Sequence, residues 1–426
     1  MTEVTPRRRT NDVSPAAWQR LGTWFACVLG LVLLRLALPF RTADTMVVHQ
    51  AIVDSLLQGH NWGRQALVGS LEYPLLPTLG LLAARTLVGA RFAGQWVVAL
   101  AQIWALSYLV RLRVSVWRRV GFVVMLVVFC VALPDVRDAM LALDPSWLSA
   151  VPLCSAIYHL SRWLRGRELR DAVLTAINCG LLSFCGLTGV IGACGILLVL
   201  SQDVRSHGRR TGADIRGIPL LVWTPFVYCI LLGLLWNWLI LGNLLFTSGQ
   251  LWGALRRAPA LGMLLHIVRA MALGPACLWA FIGLAGVAAV NRPRHHTVAL
   301  LGVAAAVVLG RSSCLAIGLI SGAGTLLVVC AALAVCAGVQ TGEEDPCSAR
   351  SKRAKAAFAI AAIVFFLLDM FVLPVPNPVS ESQFIVGAPA AETVTELVDQ
   401  DWPRSRIAVH GVRLPTIYHD PMEARF

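Results

Sequence analysis

The chain of 426 residues is 57% hydrophobic and 14% charged, with a mean hydropathy of +0.71. Soluble globular chains carry roughly 25% charged residues, so this composition excludes an ordinary soluble protein and predicts an integral membrane one. The net charge of +13 does not point to nucleic acid, because the basic segments lack interleaved aromatics. In a membrane chain they fit cytoplasmic loops facing anionic lipid.

Residues 1–23, with Arg7, Arg8 and Arg9, are expected in the cytoplasm. The apolar run 25–40 reads as a retained first span, since it ends in Arg35, Pro39 and Arg41 with no small-residue cleavage site. A first outer loop follows over residues 41–94. Within it, Met46, Val47, Ala51, Ile52 and Leu56 recur at helical spacing. They predict an amphipathic helix on the membrane surface, opened by Asp44 near its N-cap and ended by Gly59. Residues 61–70 read as strand-like or turn. The apolar stretch 75–88 is short for a span and reads as an interfacial or re-entrant helix.

Spans then follow at about 96–110, 120–133, 147–160, 172–185, 190–200 and 220–241. An eighth leads into Arg292, Arg294, His295 and His296. The ninth and tenth hinge on the outer side at Arg311, and an eleventh covers about 356–373. This order puts the clusters around Arg111, Arg165 and Arg209 on the cytoplasmic side, with Arg256 and Arg257 the sole exceptions. The expected fold class is therefore all-α: a polytopic membrane protein of about eleven transmembrane helices over residues 24–373. A short outward tail, 374–426, holds seven acids against four arginines and includes a short helix (390–399) and a short strand (406–410). The expected location is the plasma membrane, with the N-terminus cytoplasmic and the C-terminus extracytoplasmic.

The cysteines do not form a framework of disulfides. Most lie in apolar runs, where a thiol acts as a small hydrophobe, and no CxxC pair occurs. Chemistry is more readily sought among the carboxylates, which gather on the outer side: Asp44, Asp54 and Glu72 in the first loop, then Asp135, Asp138 and Asp144 between the third and fourth spans. Carboxylates beside a bilayer are costly unless wet, paired or metal-bound. Two of them converging from different loops suit a general base and a metal ligand; solvated loop charges are the plainer reading. A lone interfacial histidine such as His49 is read as structural, and His295-His296 as part of a basic loop.

Four segments together resemble the type C glycosyltransferases, multi-span enzymes that use polyprenyl-phosphate sugars, and within them the protein O-mannosyltransferase-like group. Asp44 just after the first span opens an interfacial helix closing in Leu56-Leu57-Gln58-Gly59. Tyr73-Pro74-Leu75-Leu76-Pro77 is similar to the Y-x-P-L-x-P segment, and Leu143-Asp144-Pro145 to the L-D-P motif. The stretch 236–246, W-N-W-L-I-L-G-N-L-L-F, resembles the bacterial N-x-x-x-F-G-N-P-L-Y segment. Thr45 stands where many relatives carry a second acid, and Gly186-Leu187-Thr188-Gly189 where many carry Arg-Pro-Glu.

The resemblance implies that Asp44 is the general base in an inverting transfer to a glycan, lipid or protein acceptor. It implies that Asp138 or Asp144 orients the lipid phosphate, with a divalent cation (Mg or Mn) as a candidate cofactor held by those two acids. Arg64, Arg137 and Arg311 would offset phosphate charge, while Glu72, Tyr73 and Trp62 would border the sugar. Two alternatives stay open: a multi-span transporter or lipid flippase, and an inactive scaffold of the same fold. The scarcity of charges inside the expected spans, beyond Arg35 and Asp369, favours the enzyme over a transporter.

Overall fold

The computed structural model describes residues 41–42, 44–69, 73–112, 140–211, 217–245, 295–316 and 322–338, with single positions at 119, 122 and 251. Helices hold 89% of them, so the architecture is α-helical apart from one two-residue ladder. Strand β1 (Arg41–Thr42) leads into α1 (Asp44–Gln58), α2 (Asn61–Gly69), α3 (Leu75–Val88) and α4 (Ala90–Arg111). Strand β2 (Ala142–Leu143) leads into α5 (Trp147–Gly166), α6 (Leu169–Leu182), α7 (Gly186–Thr211) and α8 (Gly217–Leu241). Helices α9 (His295–Ala316) and α10 (Gly322–Gly338) follow. The expected first, third, eighth and eleventh spans and the tail lie outside the described residues.

Among the described residues, three helical segments are long and apolar enough to cross a membrane: Phe92–Arg111, Gly186–Ser206 and Gly217–Leu241. Their outward faces are apolar as well. Leu220, Tyr228, Leu231, Trp238 and Leu239 of α8 are all exposed, as are Phe92, Trp96, Leu100 and Trp104 of α4. Monomeric soluble proteins rarely present so continuous an apolar surface, and the arrangement is that of a membrane-associated helical protein.

Short connections make the helices alternate in direction. Arg167 and Glu168 join α5 to α6, and residues 183–185 join α6 to α7. One end of the bundle therefore holds Asp144, the 183–186 turn and helices α1 to α3. The other end gathers Arg111, Arg165 and Asp203. Glycines allow the closest approach: Gly195 faces Ala306, and a Cβ on Gly192 would stand 3.1 Å from Val307. With Gly302 against Val199 and Gly310 against Ile191, these contacts run antiparallel along the whole α7–α9 seam. Small residues at such a seam let helix backbones meet without lipid between them.

Two expectations need correction. The segment expected as strand-like or turn is the helix α2. Its Ala66 is buried against Val48 and Ile52 of α1, and Gly63 lies directly on Ser55. A nine-residue helix with only Trp62, Ala66, Leu67 and Val68 as apolar residues is too short a run to tell from a turn by its pattern. Arg311 does not sit at a hinge but within α9, and Gly322 opens α10. A polar residue is accommodated there because Gly324 leaves room, where a Cβ would stand 2.7 Å from Arg311 Cδ, and Thr325 Oγ1 accepts from Arg311 Nη2 at 2.9 Å.

Candidate functional site

The site starts with the ladder. Arg41 pairs with Ala142 and Thr42 with Leu143, in parallel. Paired strands lie about 4.8 Å apart. The ladder thus sets the backbone at Asp44, two residues past Thr42, near that at Asp144, one residue past Leu143. Gln102 of α4 steadies the approach to β2 by donating to the Met140 carbonyl at 3.0 Å. Beyond β1 the backbone turns into α1 with Asp44 as its first residue.

Asp144 precedes α5, where Pro145 and Ser146 form the turn. Its Oδ1 accepts from the Ser146 N–H at 2.8 Å, an Asx turn that suits aspartate before a helix. Its carbonyl accepts from Trp147 N–H at 3.2 Å, and the Trp147 side chain below is fully buried. Burial pushes the Asp144 carboxyl above the usual carboxylate range, while the Ser146 N–H and the hydroxyls of Ser146 and Thr45 pull it back. The result is a half-buried carboxylate held by one backbone N–H with two hydroxyls close by, at the end of a helix whose dipole favours an anion.

Helix α1 is clamped over this point from three sides. Met46 reaches α4, where a Cβ on Gly94 would stand 2.9 Å from Met46 Cε. Asp54 pairs with Arg85 of α3. His49 is buried and its Nδ1 lies 2.7 Å from Thr78 Oγ1. The Thr78 hydroxyl itself donates to the Pro74 carbonyl at 3.2 Å, so the ring donates through Nδ1–H and its other nitrogen is bare. Burial pushes the His49 pKa from 6.5 down to about 4. The Tyr73 ring meets His49 edge-on at 5.8 Å. Tyr73-Pro74 is therefore held against α1, and Leu76 N–H fixes the start of α3 to the Phe184 carbonyl at 3.1 Å.

Arg311 belongs to the same end. Ser149, one turn past Asp144, reaches Cys185 in the α6–α7 turn. Thr188, in the first turn of α7, meets Cys314 at 3.5 Å and borders Gly324 beside Arg311. Trp236 of α8 stacks on Phe184 with ring centroids 5.8 Å apart, and Asn237 is buried. Gly242, with φ of 67°, ends α8 in a left-handed turn that favours glycine, and Asn243 Oδ1 then accepts from Leu245 N–H.

Asp44 and Asp144 follow the two paired strands; Tyr73 lies against His49 of the helix that Asp44 opens, and Arg311 lies beside Gly324 near Thr188, at the same end of the bundle. Arg64 is exposed on α2. Glu72, Arg137 and Asp138 lie outside the described residues, and so does any pairing of Asp138 with Asp144. Among the described residues, no three His, Cys, Asp or Glu side chains come together as metal ligands. The sequence reading missed Thr45, Ser146 and Ser149 as site groups. Their signal was position alone, each within five residues of Asp44 or Asp144. Compared with family models, curated proteins and solved structures, the chain matches none of them.

Proposed function

We propose that the protein is an inverting glycosyltransferase of the plasma membrane. It moves a sugar from a polyprenyl-phosphate donor to a glycan, lipid or protein acceptor on the outer face. The single observation that carries this reading is the β1–β2 ladder, which joins the two acid-bearing motifs, Asp44 and Leu143-Asp144-Pro145.

In this reading Asp44 takes the proton from the acceptor hydroxyl as its oxygen attacks the anomeric carbon. The bond from that carbon to the phosphate oxygen breaks, and the lipid phosphate leaves with the electron pair. No general acid is needed once the phosphate charge is offset, and an arginine such as Arg311 suits that task. Asp144, Thr45 and Ser146 offer hard oxygen atoms, the donor type that magnesium or manganese takes. A bound cation would supply further charge for the leaving phosphate, with Asp138 as a second ligand.

Incubating the purified chain with a panel of radiolabelled polyprenyl-phosphate sugars and membrane acceptors tests the proposal. Transfer from one donor supports it. Accumulation of substrate inside vesicles without any glycosyl product would assign the protein to transport instead.

A further inference from the structure

The end of the bundle opposite Asp144 carries an uneven set of charges. Arg111, Arg162, Arg165, Arg167, Arg170 and Arg205 gather there with the acids Glu168, Asp171 and Asp203. Asp203 is taken by Arg167 and by the Trp163 indole at 2.9 Å. Asp171 is taken by His159 at 2.8 Å and by Arg162 Nε at 3.2 Å, and Glu168 by Arg162 Nη2 at 3.4 Å across an exposed pair. Arg165 has only neutral partners among the described residues: Ser161 Oγ at 2.6 Å and the Leu112 carbonyl at 3.3 Å. The Tyr158 hydroxyl lies near both Arg162 and Arg165, so two solvent-accessible guanidinium groups flank one hydroxyl.

We propose that Tyr158, Arg162 and Arg165 form a cradle for the phosphate of an anionic phospholipid. Position argues for lipid. The membrane-length segments of α4 and α7 end here, at Arg111 and Ser206, the depth at which headgroup phosphates meet basic side chains. A track for the acyl chain leads to the same place. Phe92, Trp96, Leu100 and Trp104 are exposed at four-residue spacing along α4. The next residue of that series, Tyr108, has its ring 5.4 Å from that of Tyr158. Guanidinium forks match phosphate oxygens, and a phenol at the headgroup level adds a donor. This site lies at the other end from the proposed transferase site and stands independently of it.

The test uses the full chain in a nonionic detergent, with thermal unfolding followed as phosphatidylglycerol or phosphatidylcholine is titrated in. Phosphatidylglycerol raises the melting temperature and phosphatidylcholine does not. Arg165→Gln weakens the apparent lipid affinity about five-fold, the loss of one arginine contact at a membrane surface, and Arg165→Lys recovers part of it. Millimolar inorganic phosphate leaves the lipid shift in place. An equal response to both lipids, an unchanged affinity in Arg165→Gln, or displacement by inorganic phosphate overturns the proposal. Should Arg165→Gln fail to fold, Tyr158→Phe removes the hydroxyl alone, and the same criteria apply to it.

Discussion

Replacing His49 with glutamine should remove an acid-labile clamp from the end of the bundle that holds Asp144. The ring is buried and neutral, with its pKa pushed from 6.5 to about 4 by burial. The folded state therefore binds fewer protons than the unfolded chain between those two values. The sign follows by linkage: this contribution is complete above pH 6.5 and is lost as the pH falls towards about 4. At about 1.4 kcal/mol per pH decade, the loss amounts to about 3 kcal/mol. Glutamine keeps a neutral donor for Thr78 and does not titrate. It gives up the edge-on contact with Tyr73, so it starts about 1 kcal/mol less stable at pH 7.5. Hydrogen exchange of the α1 amides, compared at matched pH from 7.5 to 4.5, is the assay. The wild type should lose its advantage below pH 6 and open more readily than the variant near pH 4.5. A wild-type-to-variant difference that stays constant over the whole range would refute the reasoning.

Two further outcomes follow from packing and from the carboxylate. Gly195 stands directly against Ala306, so Gly195→Leu forces α7 and α9 apart and should cost at least about 2 kcal/mol, seen as a lower melting temperature; Gly217→Leu, at an open position, is the control that should not change it. Asp144 has a carboxyl raised above its ordinary 3.8. The folded state thus holds the extra proton above pH 3.8, and wild-type stability falls as the pH rises through that window. Asp144→Asn should melt higher than wild type at pH 7.5 and lose that gain near pH 4. A variant less stable than wild type at pH 7.5 would show that the ionised carboxylate is held favourably, contrary to the burial argument.

Helix α1 shows how much was legible and where legibility stopped. Its start at Asp44 and its end at Gly59, where φ is 81°, follow from spacing and from a C-terminal glycine. Its buried face does not. Val47, counted among the apolar stripe, is 53% exposed, while Val48, His49 and Val53 are buried. Helix α1 faces two cores at once: Met46 and Val53 join the main bundle, and Val48 and Ile52 join α2 and Tyr73. A helix packed on two sides leaves no single stripe in its sequence. Arg311 failed for a related reason, since a charge inside an apolar run reads as a hinge unless the glycine that makes room for it, Gly324, is known to be its neighbour. The pairing of Thr42 with Leu143 spans a hundred residues, and no local pattern carries it. The motifs before and after those residues were visible one by one; only the fold brings the backbone at Asp44 near that at Asp144.

The central claim rests on Asp44 as the base in sugar transfer, and one comparison bears on it most directly. Purified wild type and Asp44→Asn, matched for melting temperature, are given the radiolabelled polyprenyl-phosphate sugar that the donor panel selects. The account predicts a fall in transfer of at least about a hundred-fold, the scale of losing a positioned general base, with donor binding retained. Transfer by Asp44→Asn at the wild-type rate would contradict it.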